Sequence, residues 1–209
     1  MTTLDPVQVT DGWSIEDSKS LYLIDRWGEG HFSVNCDGLL TVSAVPGREP
    51  EVSAIEVLEA AKKSGLKPPI LIRFQDILRH RVETLNQAFS DAIEDLAYRG
   101  TYRSVYPIKV NQLREVVEEI LDAGQPYRAG VETGSKAEVY AALATLEEED
   151  GIIICNGYKD VSYIRTALIG QKLGKEVILV IEKLSEVPAI IAVAKEMSIE
   201  PKVGVRVRL

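Results

Sequence analysis

Residues 151–182 read GIIICNGYKDVSYIRTALIGQKLGKEVILVIE: an apolar run, a polar turn, a helical stretch and a second apolar run. The outer segments predict strands over 151–156 and 176–182, and the segment between them a helix over 160–173. Two such strands run parallel, because a helical crossover returns the chain to the same end of the sheet. The unit repeats on both sides. Strands are expected over 102–110, 127–132 and 202–209, and helices over 112–123, 135–148 and 185–198. The fold class is therefore α/β, with about five βα units.

Upstream the pattern changes. SLYLIDRWGEGHFSVN and CDGLLTVSAVPG, within residues 1–50, mix short apolar stretches with Gly-containing turns and predict two or three strands. Pro46, Gly47 and Pro50 interrupt them. Ser53 then precedes a helix reaching Lys63, with Ile55, Leu58 and Ala61 at helical spacing, and Gly65, Pro68 and Pro69 end it. ILIRF (70–74) predicts a short strand. From Gln75 to Ala97 a broad apolar stripe (Ile77, Leu78, Val82, Leu85, Phe89, Ile93, Leu96) predicts a long helix packed along a core. Residues 1–100 are expected to form a β-rich segment with helices, and 101–209 the regular βα portion.

The chain has 209 residues, 45% hydrophobic and 27% charged, values typical of a folded globular protein. Its formal net charge of −8 argues against a nucleic-acid partner, which needs a basic face to displace phosphate counterions. A small-molecule role fits better. No run approaches the roughly 20 apolar residues of a membrane helix, and MTTLDPVQVT lacks the charged-then-apolar order of a signal peptide. No membrane association and a cytoplasmic address are the expectation. Cys36 and Cys155 belong to no ligand-spaced pair, so neither a disulfide framework nor a zinc site is expected. His31 and His80 are read as surface or packing residues, and no metal ligand is assigned.

Polar side chains recur at or near the end of every predicted parallel strand: Lys109, Glu132, Asn156, Glu182 and Arg206. Ligands of α/β proteins bind at that end. The plainer explanation is that polar residues mark where strands surface, and it suffices for Asn156 and Glu182. Strand alternation puts Lys109 on the face of Val105 and Pro107. Facing a poorly hydrated interior, its ammonium would be costly and would tend to a neutral amine, which can attack an aldehyde; facing solvent, it would be an ordinary surface lysine. Glu132 follows on the next strand, on the face of Gly130 and Arg128, where its carboxylate could lie beside that amine. Ser135 and Glu138 fit a helix-capping box, and Gly134 belongs to no phosphate-binding glycine spacing. Arg206 and Arg208 share a face with Gly204; turned inward, they would meet Glu132 or Glu138, and turned outward, water.

YPIKVNQ (106–112), GVETGSKAE (130–138), ICNGYKDVSYIRTALIG (154–170), VIEKLSE (180–186) and KVGVRVRL (202–209) together resemble biosynthetic arginine decarboxylases of the alanine-racemase-like fold. WSIEDSKSLYLIDRWGEGHFSVN (13–35) and PILIRFQDILRHRVETLNQAF (69–89) resemble that family's amino-terminal part. The resemblance implies a pyridoxal-phosphate-binding (β/α)8 TIM-type barrel, present here as about five of eight units and preceded by part of the family's β domain. It implies that Lys109 holds the cofactor, that Glu132 and Glu138 are acidic residues on the cofactor side, and that Arg206 supports the site. The implied reaction is decarboxylation of L-arginine to agmatine and carbon dioxide, with the cofactor ring as electron sink. Magnesium, with unassigned ligands, and homo-oligomers of the full-length protein are implied as well.

A closed barrel has eight strands and typically about 250 residues. The family's phosphate-binding glycine-rich segment, its partner for the pyridine nitrogen and its carboxy-terminal β domain are expected beyond Leu209, so the chain alone is expected not to turn over arginine. Two alternatives stand beside this reading. One is a decarboxylase of the same fold acting on ornithine, lysine or diaminopimelate. The other is a non-catalytic truncated barrel acting as a binding or regulatory protein.

Overall fold

The computed structural model describes residues 12–49, 51–147 and 151–207. Contacts divide the chain into two compact units, the first ending at His80 and the second starting at Arg81.

The first unit opens with two helices where strands were expected. Helix α1 (Ile15–Tyr22) is fixed by a capping box: Asp17 N–H donates to Ser14 Oγ (3.2 Å), and Ser14 N–H donates to Asp17 Oδ2 (2.8 Å). Leu23 adopts a left-handed conformation that ends α1, and α2 (Ile24–Trp27) follows at once. SLYLIDRW is thus helical, because a strong local cap outweighed β-prone residues. Three antiparallel strands follow in the order β1 (Phe32–Val34), β2 (Leu40–Ser43) and β3 (Glu51–Ser53). The turn between β1 and β2 is closed by Asn35 Oδ1, which accepts from the N–H groups of Asp37 and Leu39 (3.1 and 2.9 Å). Strand β3 lies past the Pro46–Gly47 interruption; Pro50 itself is outside the described residues. Buried His31 packs edge-on against His80, with ring centroids 5.3 Å apart.

Helix α3 (Ala54–Lys63) starts at Ser53 as predicted. ILIRF finds no strand partner and remains irregular. Helix α4 (Gln75–Asp95) crosses the boundary between the units. Its apolar stripe is covered only in part: Phe89 stacks on Tyr102 at 3.7 Å, but Leu85 and Leu96 are exposed. The expectation that this helix would bury its stripe in a core is therefore not met within this chain.

The second unit is a five-stranded parallel sheet in sequence order: β4 (Val105–Pro107), β5 (Gly130–Thr133), β6 (Ile152–Cys155), β7 (Glu176–Ile181) and β8 (Lys202–Val205). The intervening helices are α5 (Arg114–Gly124), α6 (Lys136–Thr145), α7 (Val161–Lys172) and α8 (Glu186–Met197). All five expected strands and four crossover helices are present, most with shorter ends. Alternate strand residues Val131, Ile153, Cys155, Val177 and Leu179 are buried in one core with Val139, Ile164, Leu168, Ile190 and Val193 of the helices. The other set (Ile152, Ile154, Ile178, Val180) is only half-buried.

Arg103, just before β4, places Nη1 2.7 Å from Oε2 of Glu176, at the start of β7, so the two side chains reach past the intervening strands β5 and β6. Lys202 Nζ, at the start of β8, lies 2.9 Å from the other Glu176 oxygen. This ion network occupies the amino end of the strands.

Candidate active site

The opposite end carries the polar row anticipated from the sequence. β4 stops at Pro107 and the chain turns through a short 3₁₀ segment, Ile108–Val110, with Ile108 buried and the Tyr106 hydroxyl donating to the Asn111 carbonyl (3.0 Å). Lys109 therefore stands on a turn at the strand tip, and strand alternation does not govern its direction. Its Nζ is 3.9 Å from Glu132 Oε2, but its side chain is 62% exposed. The enclosing, poorly hydrated interior considered for it is not present around the amine in this chain.

Glu132, by contrast, is largely enclosed, with 13% of its side chain exposed. Its Oε1 accepts from Asn156 Nδ2 at 2.8 Å, so the carboxylate joins the tips of β4, β5 and β6. Arg128, expected on the same face, instead sits in a left-handed turn before β5. At the start of α6, Glu138 N–H donates to Ser135 Oγ (3.3 Å), but Glu138 Oε2 accepts from Gly134 N–H (2.7 Å). The expected box is thus displaced by one residue, and Glu138 secures the turn leading from β5.

Arg206 pairs with neither Glu132 nor Glu138. Its Nη1 lies 3.2 Å from Glu182 Oε1. The register explains the choice: Ile181 aligns with Val205, so Glu182 and Arg206 are the next facing residues and meet without crossing the sheet. Arg208 lies outside the described residues. Glu182 Oε1 also accepts from Gly157 N–H at 2.7 Å. Burial pushes the Glu182 carboxyl up, but the Gly157 N–H, the Arg206 guanidinium and the Lys159 ammonium outweigh it and hold it below the ordinary glutamate value. Asn156 and Glu182, which a surfacing strand would have explained, each bond to the tip of a neighbouring strand.

Two residues escaped the sequence reading. Lys159 has no side-chain exposure and Glu186 only 3%. The Lys159 ammonium donates to the carbonyls of Gly157 (2.6 Å) and Val180 and lies 3.4 Å from Glu186 Oε2. Their signal was positional: Lys159 lies three residues past Asn156, in the loop after β6, and Glu186 four past Glu182, at the first position of α8.

Among the described residues, no group of three or more His, Cys, Asp or Glu is arranged to hold a metal ion. No described helix is long and apolar enough to cross a membrane.

Residues 81–209 match the family described as pyridoxal-dependent decarboxylase, pyridoxal binding domain. The chain belongs to that family. The chain is 43% identical over all 209 residues to the biosynthetic arginine decarboxylase of Nostoc sp., covering 31% of that protein. It is 45% identical over 197 residues, 94% of its length, to the enzyme of the same name from Gloeobacter violaceus, again covering 31% of the relative. The crystal structure of the biosynthetic arginine decarboxylase from Campylobacter jejuni superimposes with a TM-score of 0.81 at 34% identity, over 90% of this chain and 31% of that one. The chain thus spans about a third of the length of the relatives it matches. Its five-stranded parallel sheet lies within the part that superimposes on the arginine decarboxylase structure and within the residues matched by the family.

The residues present fit such a group in one respect that can be tested physically. An aldehyde cofactor bonds to an accessible amine, and Lys109 presents one at a strand tip, 3.9 Å from the Glu132 carboxylate.

Proposed function

We propose that this chain is the pyridoxal-phosphate-binding part of an L-arginine decarboxylase, an enzyme that yields agmatine and carbon dioxide, and that Lys109 is the residue holding the cofactor. On this reading residues 1–100 are part of the family's β domain and 101–209 the first part of its barrel. The observation that carries the proposal is the Lys109 amine at a strand tip, 3.9 Å from the Glu132 carboxylate. When bound, pyridoxal phosphate supplies an aldehyde for amines and a ring that accepts the electrons left by departing carboxylate.

The chain's own residues supply orientation and charge. Glu132 places a carboxylate oxygen 3.9 Å from the Lys109 nitrogen, where it can orient that side chain. Asn156 holds Glu132 in place through one oxygen, leaving the other for the amine. Glu138 fixes the Gly134 turn beside them, and Arg206 presents a permanent positive charge backed by Glu182. A homo-oligomer, a cytoplasmic location and a magnesium requirement with unassigned ligands belong to the same proposal, supported by the likeness to biosynthetic arginine decarboxylases.

The test is reduction with borohydride in the presence of pyridoxal phosphate, followed by peptide mapping. A pyridoxyl adduct on Lys109, lost in Lys109→Ala, is expected. Labelling of other lysines alone, or labelling unchanged in Lys109→Ala, overturns the assignment. Competition of the adduct by arginine, compared with ornithine, lysine and diaminopimelate, tests the substrate.

A further inference from the structure

Lys159 and Glu186 form a charged pair in a place where charge is costly, and apolar residues of similar volume would often be at least as stabilising. What apolar residues could not do is hold backbone polar groups. The Lys159 ammonium takes the carbonyls of Gly157 and Val180, while Glu186 accepts from the N–H of Lys159 (3.0 Å) and the N–H of Glu182 (3.0 Å). Every one of these groups lies in the β6–α7 segment or in the β7 strand and its exit, and they bracket Glu182 from two sides. Its own N–H is held by Glu186. The N–H that grips its carboxylate belongs to Gly157, whose carbonyl is held by Lys159.

We infer that the buried Lys159–Glu186 pair is a positioning device: it fixes the Glu182 carboxylate at the strand tips and, through it, Arg206. Neither residue touches the Lys109–Glu132 pair, so their action on the site is indirect. The consequence for cofactor binding rests on the function proposed above, whereas the positioning itself does not. The chain of contacts runs from Lys159 to Gly157, from Gly157 to Glu182 and from Glu182 to Arg206, each within hydrogen-bond distance. Its weak point is Gly157, which has a φ of +74° and whose Cα faces the Gly134 carbonyl too closely for a side chain. Glycine takes that conformation without strain, and the Lys159 ammonium bonds to its carbonyl at 2.6 Å.

The test compares the 209-residue chain with a double variant, Lys159→Met with Glu186→Gln, which removes both charges together. Lys159→Met alone would strand a buried carboxylate and can fail to fold, so the double variant carries the experiment. Nuclear magnetic resonance reads the exchange rate of the Gly157 amide, the donor to the Glu182 carboxylate. The expected result is Gly157 exchange at least tenfold faster. Leu121→Ala, which removes buried packing from α5, an element that holds neither member of the pair, is expected to lower stability and leave that rate in place. An unchanged Gly157 rate in the double variant, or an equal change in Leu121→Ala, overturns the inference. In a parallel arm, pyridoxal phosphate affinity is expected to fall at least threefold in the double variant, with the reduced adduct still on Lys109. If the parent chain takes up no pyridoxal phosphate, the proposed function fails while the Gly157 rate still decides the positioning role.

Discussion

Lys109 Nζ and Glu132 Oε2 are 3.9 Å apart on neighbouring strand tips, one side chain mostly in water and the other mostly out of it. That asymmetry limits what the pair can contribute to folding. Glu132→Gln, which keeps an acceptor for Asn156, is expected to change unfolding free energy by less than about 1 kcal/mol. Pyridoxal phosphate affinity is expected to fall about three- to fivefold, within the same energy range by the rule that 1.4 kcal/mol is about tenfold. Glu132→Ala also leaves the Asn156 amide without its acceptor and should cost about 1 kcal/mol more. Urea denaturation and an absorbance titration with the cofactor check both.

Gly157 and Gly38 both have positive φ, but only Gly157 is hemmed in by backbone, since nothing lies within 4 Å of a Cβ built on Gly38. Alanine at Gly38 is expected to cost about 1 kcal/mol of backbone strain alone. Alanine at Gly157 must in addition displace the Gly134 carbonyl, and a loss of at least about 2 kcal/mol is expected. For a chain of this size that corresponds to a fall in Tm of roughly 4–8 °C. Equal thermal shifts for the two variants would contradict the geometry.

Acid stability should depend on Glu176. The Lys202 ammonium and the Arg103 guanidinium outweigh burial and hold its carboxyl below the ordinary glutamate value of 4.5. A depressed folded-state pKa contributes stability that is fully present above the unfolded value and is lost as pH falls through the folded one. Tm should therefore decline as pH falls below about 4.5, the ordinary carboxylate range. Lys202→Met, which removes the larger of the two interactions, should lower Tm at pH 7 and reduce the part of the acid-side decline due to Glu176. Calorimetry between pH 3 and pH 7 measures both slopes.

The two cysteines should differ sharply toward thiol reagents. Cys36 is exposed, whereas Cys155 is fully buried beneath the sheet and burial pushes its thiol up to about 11. Only a thiolate reacts quickly. At pH 8 the native chain should release one equivalent of chromophore from a disulfide reagent promptly, and the second only after denaturation.

The parallel sheet was legible because strand and helix periodicity coincide with the chain's own packing: Ile153 and Leu179 sit in the core that the pattern implies. The amino-terminal helices were not, because the box formed by Ser14 and Asp17 fixes the start of a helix that also takes in the β-prone Tyr22, with no trace in hydrophobic alternation. At the site, the residue types at strand tips could be read, but their partners could not. Lys109 lies two residues past the end of β4, on a turn where alternation no longer applies, and Arg206 takes Glu182 because pairing register, invisible in a single strand, brings the two together. Lys159 and Glu186 went unnoticed since buried charge is identifiable only after neighbouring loops are placed in space.

The ion network of Arg103, Glu176 and Lys202 sits at the root of the strands, a full strand length from the row that ends in Arg206. Charge pairs thus tie neighbouring segments at both rims of one sheet, and a substitution at either rim leaves the partners at the other in place.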